Sequence, residues 1–126
     1  MIQPERRKIY VAGAYSADNV LDVFDNMRIG MSTSARLFKD GFSPFCPWLD
    51  YHYLLLLPES SITMDMFYRY SVDFLRVCDA IFIVKNERNA MSVGLQKEIE
   101  LAALNGMPIF TDYDKLLEWA KTPVAL

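Results

Sequence analysis

The chain has 126 residues, 52% of them hydrophobic, with a formal net charge of −3 and an isoelectric point near 5.1. This length suits one domain with one core, and the acidic balance argues against general binding to nucleic-acid backbones, which needs clustered cations. No apolar run approaches the roughly 20 residues of a membrane-spanning helix, and no signal peptide is visible. We therefore expect one soluble cytoplasmic domain over residues 1–126, with Cys46 and Cys78 as buried free thiols.

The first part of the chain reads as strand, helix, strand. Residues 8–12 form an apolar strand, and residues 13–16 form a tight loop at its carboxyl end. Apolar residues then recur at three- and four-residue intervals from about 19 to 39, which predicts an amphipathic helix. Residues 42–46 predict a short edge strand, because they are bounded and interrupted by prolines. The connection over 48–62 is irregular, and one so long either is functional or carries its own helix.

The second part of the chain predicts a βαβ unit and a final helix. A helical stripe over residues 64–78 leads into residues 79–84, whose apolar, β-branched run is typical of a strand buried on both faces. A helix over 92–105, a strand over 107–110 and a helix over 112–120 follow. The alternation predicts an α/β fold: a small flavodoxin-like, doubly wound parallel sheet of four to five strands with helices on both faces.

Candidate site residues lie in loops that follow the predicted strands, where open α/β sheets bind ligands. These loops carry Gly13, Ala14, Tyr15 and Ser16, then Trp48, then Ser92, Gly94 and Glu98. Gly13 permits close backbone approach, and a helix start at Ser92 and Gly94 offers donors to a phosphate or another anion. Glu98 lies one turn beyond Gly94, where a carboxylate facing a cavity can attack an anomeric carbon.

The same residues have purely structural interpretations. Gly13 can serve the turn alone, Ser92 can be an N-cap, and Glu98 can be an exposed helix acid, which is the commoner case on spacing alone. His52 is the single histidine and has no adjacent cysteine or acid cluster, so we expect no metal site.

Three motifs together resemble the nucleoside 2-deoxyribosyltransferase superfamily, which includes the 2'-deoxynucleoside 5'-phosphate N-hydrolases. They are Val11-Ala-Gly-Ala-Tyr-Ser16, Cys78-Asp79-Ala80 and Ser92-x-Gly94-x-x-x-Glu98. The resemblance extends from Ile9 to about Phe110. It implies that Glu98 attacks C1' of a deoxyribosyl group and releases the base, after which water or a second base resolves the covalent intermediate.

The resemblance also implies roles for the surrounding residues. Tyr15 would touch the sugar or the nucleophile, while Ser16, Ser92 and Gly94 would hold a 5'-hydroxyl or 5'-phosphate. No metal or organic cofactor is expected. The implied partner is a small-molecule nucleoside or nucleotide, not a nucleic acid or a membrane, and such enzymes complete their pockets with residues from a neighbouring subunit.

One position departs from the superfamily pattern. Members usually carry an acid, which protonates the leaving base, eight residues before the aspartate matched to Asp79, and Ser71 stands there. A serine cannot deliver a proton as a tuned carboxyl does, so we expect Ser71 to contact substrate only. Asp73 should face away, because two residues turn a helix by about 200°. Asp65 or Asp50 could substitute only if the connection over 48–62 folds across the pocket.

Three functional hypotheses remain open. The protein is an N-glycosidase or deoxyribosyltransferase acting on nucleosides or their 5'-monophosphates, or it binds a nucleotide or nucleotide-derived signal without cleaving it, or it is an interaction module with a vestigial pocket. The apolar content and the leucine-rich segment 51–57 predict a homodimer or higher homo-oligomer.

Overall fold

A computed structural model describes residues 6–122, except the side chain of Glu59. Its centre is a four-stranded sheet in the order β2-β1-β3-β4, with every neighbouring pair parallel. The strands are β1 (Lys8–Ala12), β2 (Ser43–Phe45), β3 (Ala80–Ile83) and β4 (Ile109–Phe110). The predicted α/β fold with a small parallel sheet is confirmed. The sequence also predicts a short polar arm over residues 1–7 and a chain end that frays from Thr122, and most of these residues lie outside the described range.

Five α-helices connect or follow the strands. They are α1 (Val20–Lys39), α2 (Tyr51–Leu56), α3 (Met64–Val77), α4 (Val93–Leu104) and α5 (Tyr113–Ala120). The irregular connection over 48–62 thus carries a helix of its own, α2, together with 3-10 turns at Pro47–Asp50 and Glu59–Ser61. Gly41 and Gly106, at φ angles of 101° and 66°, follow α1 and α4 in the left-handed region where glycine is favoured.

The sheet is buried on both faces, as its continuous apolar strands predicted. Along β1, Ile9 and Val11 face the core that packs against α1 and α5, while Tyr10 and Ala12 face the core next to α3 and α4. All four side chains are at most 1% exposed. Helices therefore cover both faces, and the doubly wound arrangement is confirmed.

The two cysteines lie in different cores. Cys46 is buried on the α1 and α5 side of the sheet, and Cys78 packs partly buried against the α3 and α4 side. Both are free thiols, as expected, and the sheet separates them. No helix within residues 6–122 is long and apolar enough to cross a membrane.

Trp48 occupies space that two glycines leave open. Its side chain is only 1% exposed, and a Cβ added at Gly30 would overlap the six-membered ring of the indole. A Cβ at Gly13 would collide with Val84 and touch the same indole. Tight packing of this kind fixes the position of a large side chain, so the turn after β2 is held close to the loop after β1.

Asparagine and arginine side chains bind the loop after β3 to its neighbours. Asn89 accepts the Ala14 N–H at 2.8 Å and donates to the Val84 carbonyl at 2.7 Å. Arg88 forms ion pairs with Asp22 at 3.0 Å and Asp25 at 2.8 Å. The loops that follow β1 and β3 are therefore held together where the strands end.

Candidate active site

A cavity of about 640 Å³ lies at the carboxyl edge of the sheet. Its wall includes every residue that the sequence analysis selected except Ala14, namely Gly13, Tyr15, Ser16, Trp48, Ser71, Ser92, Gly94 and Glu98. The fold thus brings together segments from β1, the turn after β2, α3 and α4. This is the place at which open α/β sheets bind ligands.

Ala14 has a structural position instead. It is only 1% exposed and does not line the cavity. Its N–H donates to Asn89, and its carbonyl accepts a hydrogen bond from the indole nitrogen of Trp48 at 3.2 Å. The backbone of Ala14 therefore joins the loop after β1 to Trp48 and Asn89, and contact of Ala14 with a substrate stays a prediction.

Glu98 is the carboxylate of α4 that lines this cavity. Its Oε2 atom is buried and has no hydrogen-bond partner among the described residues. Burial raises the pKa of Glu98 from its ordinary value of 4.5 to about 7, although the Tyr10 hydroxyl opposes part of the rise. A buried carboxylate without a full set of partners is costly, and such groups are found preferentially at functional sites.

Tyr10 is a site residue that the sequence analysis missed, because it was interpreted only as part of an apolar strand. Its side chain is fully buried, yet it lines the cavity wall together with Glu98 and Ser71, and its hydroxyl lowers the pKa of Glu98. Burial, reinforced by the charge of Glu98, raises the pKa of Tyr10, so the hydroxyl stays protonated and can donate. In the sequence, the one indication of this role is a tyrosine among the aliphatic residues of the strand.

Asp50 supplies a second carboxylate to the same cavity. It ends the 3-10 turn after β2, is only 6% exposed and lines the wall. The Tyr15 hydroxyl donates to Asp50 Oδ1 at 2.8 Å. Burial raises the pKa of Asp50, while the hydrogen bond from Tyr15 and the charge of His52 lower it. The hydroxyl of Tyr15 therefore contacts a carboxylate other than the predicted nucleophile.

The other two aspartates considered as replacements do not reach the cavity. Asp73 is exposed and absent from the cavity wall, in agreement with the two-residue step around α3. Asp65 is exposed and pairs with Arg69 at 2.8 Å on the surface of the same helix. Of the three aspartates, only Asp50 lines the cavity, and the connection over 48–62 brings it there.

Ser92 and Gly94 form the start of α4 at the cavity wall. The Ser92 hydroxyl oxygen accepts the Leu95 N–H at 3.2 Å, so the N-cap interpretation of this serine is correct. Its own proton is not used by that bond and can be donated to a ligand. A Cβ added at Gly94 would meet nothing within 4 Å. The glycine therefore widens the cavity rather than relieving a clash.

Aromatic and aliphatic side chains make up most of the remaining wall, and they are Val23, Tyr51, Leu54, Met64, Phe67, Tyr68 and Met91. No lysine, arginine or histidine of residues 6–122 lines the cavity. Asp50 and Glu98 are the only carboxylic acids among these wall residues, and no cationic side chain lies on the wall to neutralise them. Within the same residues, no group of three histidine, cysteine or acidic side chains could hold a metal ion. Flat apolar surfaces next to a few polar groups are typical of a small-molecule site.

No model of a known protein family matches the chain, and no curated protein is significantly similar to it.

Proposed function

We propose that the protein is an N-glycosidase or deoxyribosyltransferase that acts on (deoxy)nucleosides or their 5'-monophosphates, with Glu98 as the nucleophile. The observation that carries this proposal is the unpaired, buried carboxylate oxygen of Glu98 on the wall of a cavity large enough for a small molecule. The resemblance of the Ser92-x-Gly94-x-x-x-Glu98 motif to the nucleoside 2-deoxyribosyltransferase superfamily supports the same assignment.

In the proposed reaction, the ionised carboxylate of Glu98 attacks C1' of the sugar. The C1'–N bond breaks, its electron pair leaves with the base, and a glycosyl ester forms on Glu98. Water or a second base then attacks C1' and releases the carboxylate. Because the pKa of Glu98 is about 7, a large fraction of this group is ionised at neutral pH. The Tyr10 hydroxyl favours this ionised form, because it lowers the pKa of Glu98.

The wall of the cavity fits the two halves of such a substrate. Phe67 and Tyr68 offer ring surfaces next to which a planar base can stack. Ser92 and the first amides of α4 can donate to a 5'-hydroxyl or a 5'-phosphate. The proposed enzyme acts in the cytoplasm as a homo-oligomer, and the exposed leucines of α2, such as Leu55 and Leu56, support a subunit contact.

The test is release of free base from a panel of ribo- and deoxynucleosides and their 5'-monophosphates, followed by chromatography. Glu98→Gln should reduce release at least about a thousandfold, as expected when a covalent nucleophile is lost. Glu100→Gln, which changes an exposed acid of the same helix, is the matched control and should retain activity. Release that survives in Glu98→Gln would remove Glu98 as the nucleophile.

A second candidate is binding of a nucleotide without cleavage. Ser71 favours it, because a serine replaces the acid that superfamily members usually have at this position. A nucleotide that raises the melting temperature without any release of base would support this function.

A further inference from the structure

We propose that Asp50 is the general acid and base of this reaction and that Tyr15 is its positioning residue. This inference rests on the proposed function, since it assigns the proton transfers that accompany attack by Glu98. The proton transfers are thereby assigned to the turn after β2. The superfamily resemblance instead places the acid on α3, at the position of Ser71.

The geometry of Asp50 and Glu98 supports the assignment. The two side chains reach one cavity from separate elements, Asp50 from the turn after β2 and Glu98 from α4. Asp50 is the only acid besides Glu98 on the described part of the wall. Retaining glycosidase chemistry requires such a pair, with one carboxylate as nucleophile and the other as proton donor.

The position of Asp50 is fixed by its surroundings. Tyr15 donates to Oδ1 at 2.8 Å, and the Tyr15 ring stacks on Trp48 with the ring centroids 6.4 Å apart. Trp48 is itself held against Gly30. A catalytic group held in this way keeps its geometry without reorganisation during the reaction.

The surroundings of Asp50 also favour the protonated form that an acid needs. The titratable groups that act on it or are acted on by it are Tyr15, Cys46, His52 and Tyr70. Of these, only His52 can carry a positive charge. Burial is the largest influence on the pKa of Asp50 and raises it, so the carboxyl holds its proton at higher pH than an exposed aspartate.

The proton transfers balance over the two steps. As Glu98 forms the ester at C1', the carboxyl of Asp50 gives its proton to the nitrogen of the departing base, which takes the C1'–N electron pair. The resulting Asp50 carboxylate then removes a proton from water as the water oxygen attacks C1'. This attack releases the Glu98 carboxylate and a free sugar, and Asp50 is protonated again.

Ser71 does not compete for this role. It lines the cavity, and its hydroxyl lowers the pKa of Tyr10. A serine hydroxyl also has no acidic proton in the neutral range, so it cannot assist the departure of a base as a carboxyl can.

The experiment compares Asp50→Asn with wild type on two substrates. One is an ordinary deoxynucleoside cleaved by wild type, and the other is a 2-deoxyriboside with p-nitrophenol as leaving group, which departs without protonation. Asparagine can still accept from Tyr15, so the fold should persist. We expect kcat/KM to fall about 10²–10⁴-fold on the nucleoside and less than about fivefold on the nitrophenyl sugar. Asp73→Asn, an exposed acid on α3, should leave both rates unchanged.

Tyr15→Phe tests the positioning role by a pH profile. Tyr15 lowers the pKa of Asp50, so its loss should move the alkaline limb of kcat/KM to higher pH, which a purely structural role would not do.

The outcomes separate the two proposals. Equal losses on both substrates, or no loss on the nucleoside, would overturn the role of Asp50 while Glu98→Gln still reports on the nucleophile. Absence of any turnover by wild type would overturn both.

Discussion

The hydroxyl of Tyr10, in the middle of β1, lowers the pKa of Glu98, on the second turn of α4, and both side chains line the cavity. Tyr10 is fully buried in the core on the α3 and α4 side of the sheet, so this interaction connects the centre of the fold with the cavity wall. The protonation state of Glu98 therefore depends on a residue that also packs the core.

Tyr10→Phe should shift the pH dependence of base release. The variant removes the hydroxyl that lowers the pKa of Glu98, so the pKa should rise and less of the carboxylate should be ionised at low pH. Relative to wild type, we expect activity at pH 6 to fall about tenfold more than activity at pH 8, since hydrogen bonds to charged groups contribute about 1.5–3 kcal/mol. The measurement is kcat/KM against pH. Tyr113→Phe, remote from the cavity, is the control, and identical profiles for the two variants would contradict the prediction.

Glu98→Gln should stabilise the fold at alkaline pH. The folded-state pKa of about 7 lies above the ordinary value of 4.5, so the folded protein binds this proton more tightly than the unfolded chain. The associated stability is fully present below about pH 4.5 and is lost as pH rises through about 7. A neutral glutamine avoids that loss. The variant should exceed wild type in free energy of unfolding by at most about 3 kcal/mol at pH 8, and by much less at pH 5. Urea unfolding at both pH values measures this difference, and an equal difference at the two would refute the assigned cause.

Gly30→Ala should destabilise the protein by about 1–3 kcal/mol, because its methyl group would overlap the buried indole of Trp48 and force a shift in the core. Gly94→Ala is the matched control. Its Cβ would meet nothing within 4 Å, and alanine is favoured over glycine in a helix by about 1 kcal/mol. Thermal unfolding of both variants should give opposite signs. Wild-type stability with alanine at position 30 would contradict tight packing around Trp48.

Asn26→Leu should weaken the contact between α1 and the loops that border the cavity. The Asn26 side chain is fully buried. It donates to the Tyr15 carbonyl at 3.0 Å and accepts from Asn86 at 2.9 Å. Leucine would leave these groups unpaired, at a cost of about 1–3 kcal/mol for each buried group. We expect a lower free energy of unfolding and faster limited proteolysis after residue 84. Asn105→Leu, at an exposed position, should change neither, and intact protease resistance in Asn26→Leu would count against this role.

The periodicity of apolar residues was sufficient to predict the strands, α1, α3, α4 and α5 to within a few residues. Periodicity reports burial, and these elements each bury one face or two. It was insufficient for α2, whose leucines are mostly exposed and follow no helical stripe. The sequence therefore predicted a helix in this irregular connection only as one of two alternatives.

Sequence by itself determined the order of elements and therefore which loops meet at the carboxyl edge of the sheet, because parallel strands end on the same side. Only the tertiary structure decided which side chains meet there. Tyr10 had the pattern of a core residue, and Asp50 lay in a connection whose path no local signal predicts. Their partners, Glu98 and Tyr15, are distant in the chain, and hydrogen bonds between distant residues depend on packing rather than on local sequence.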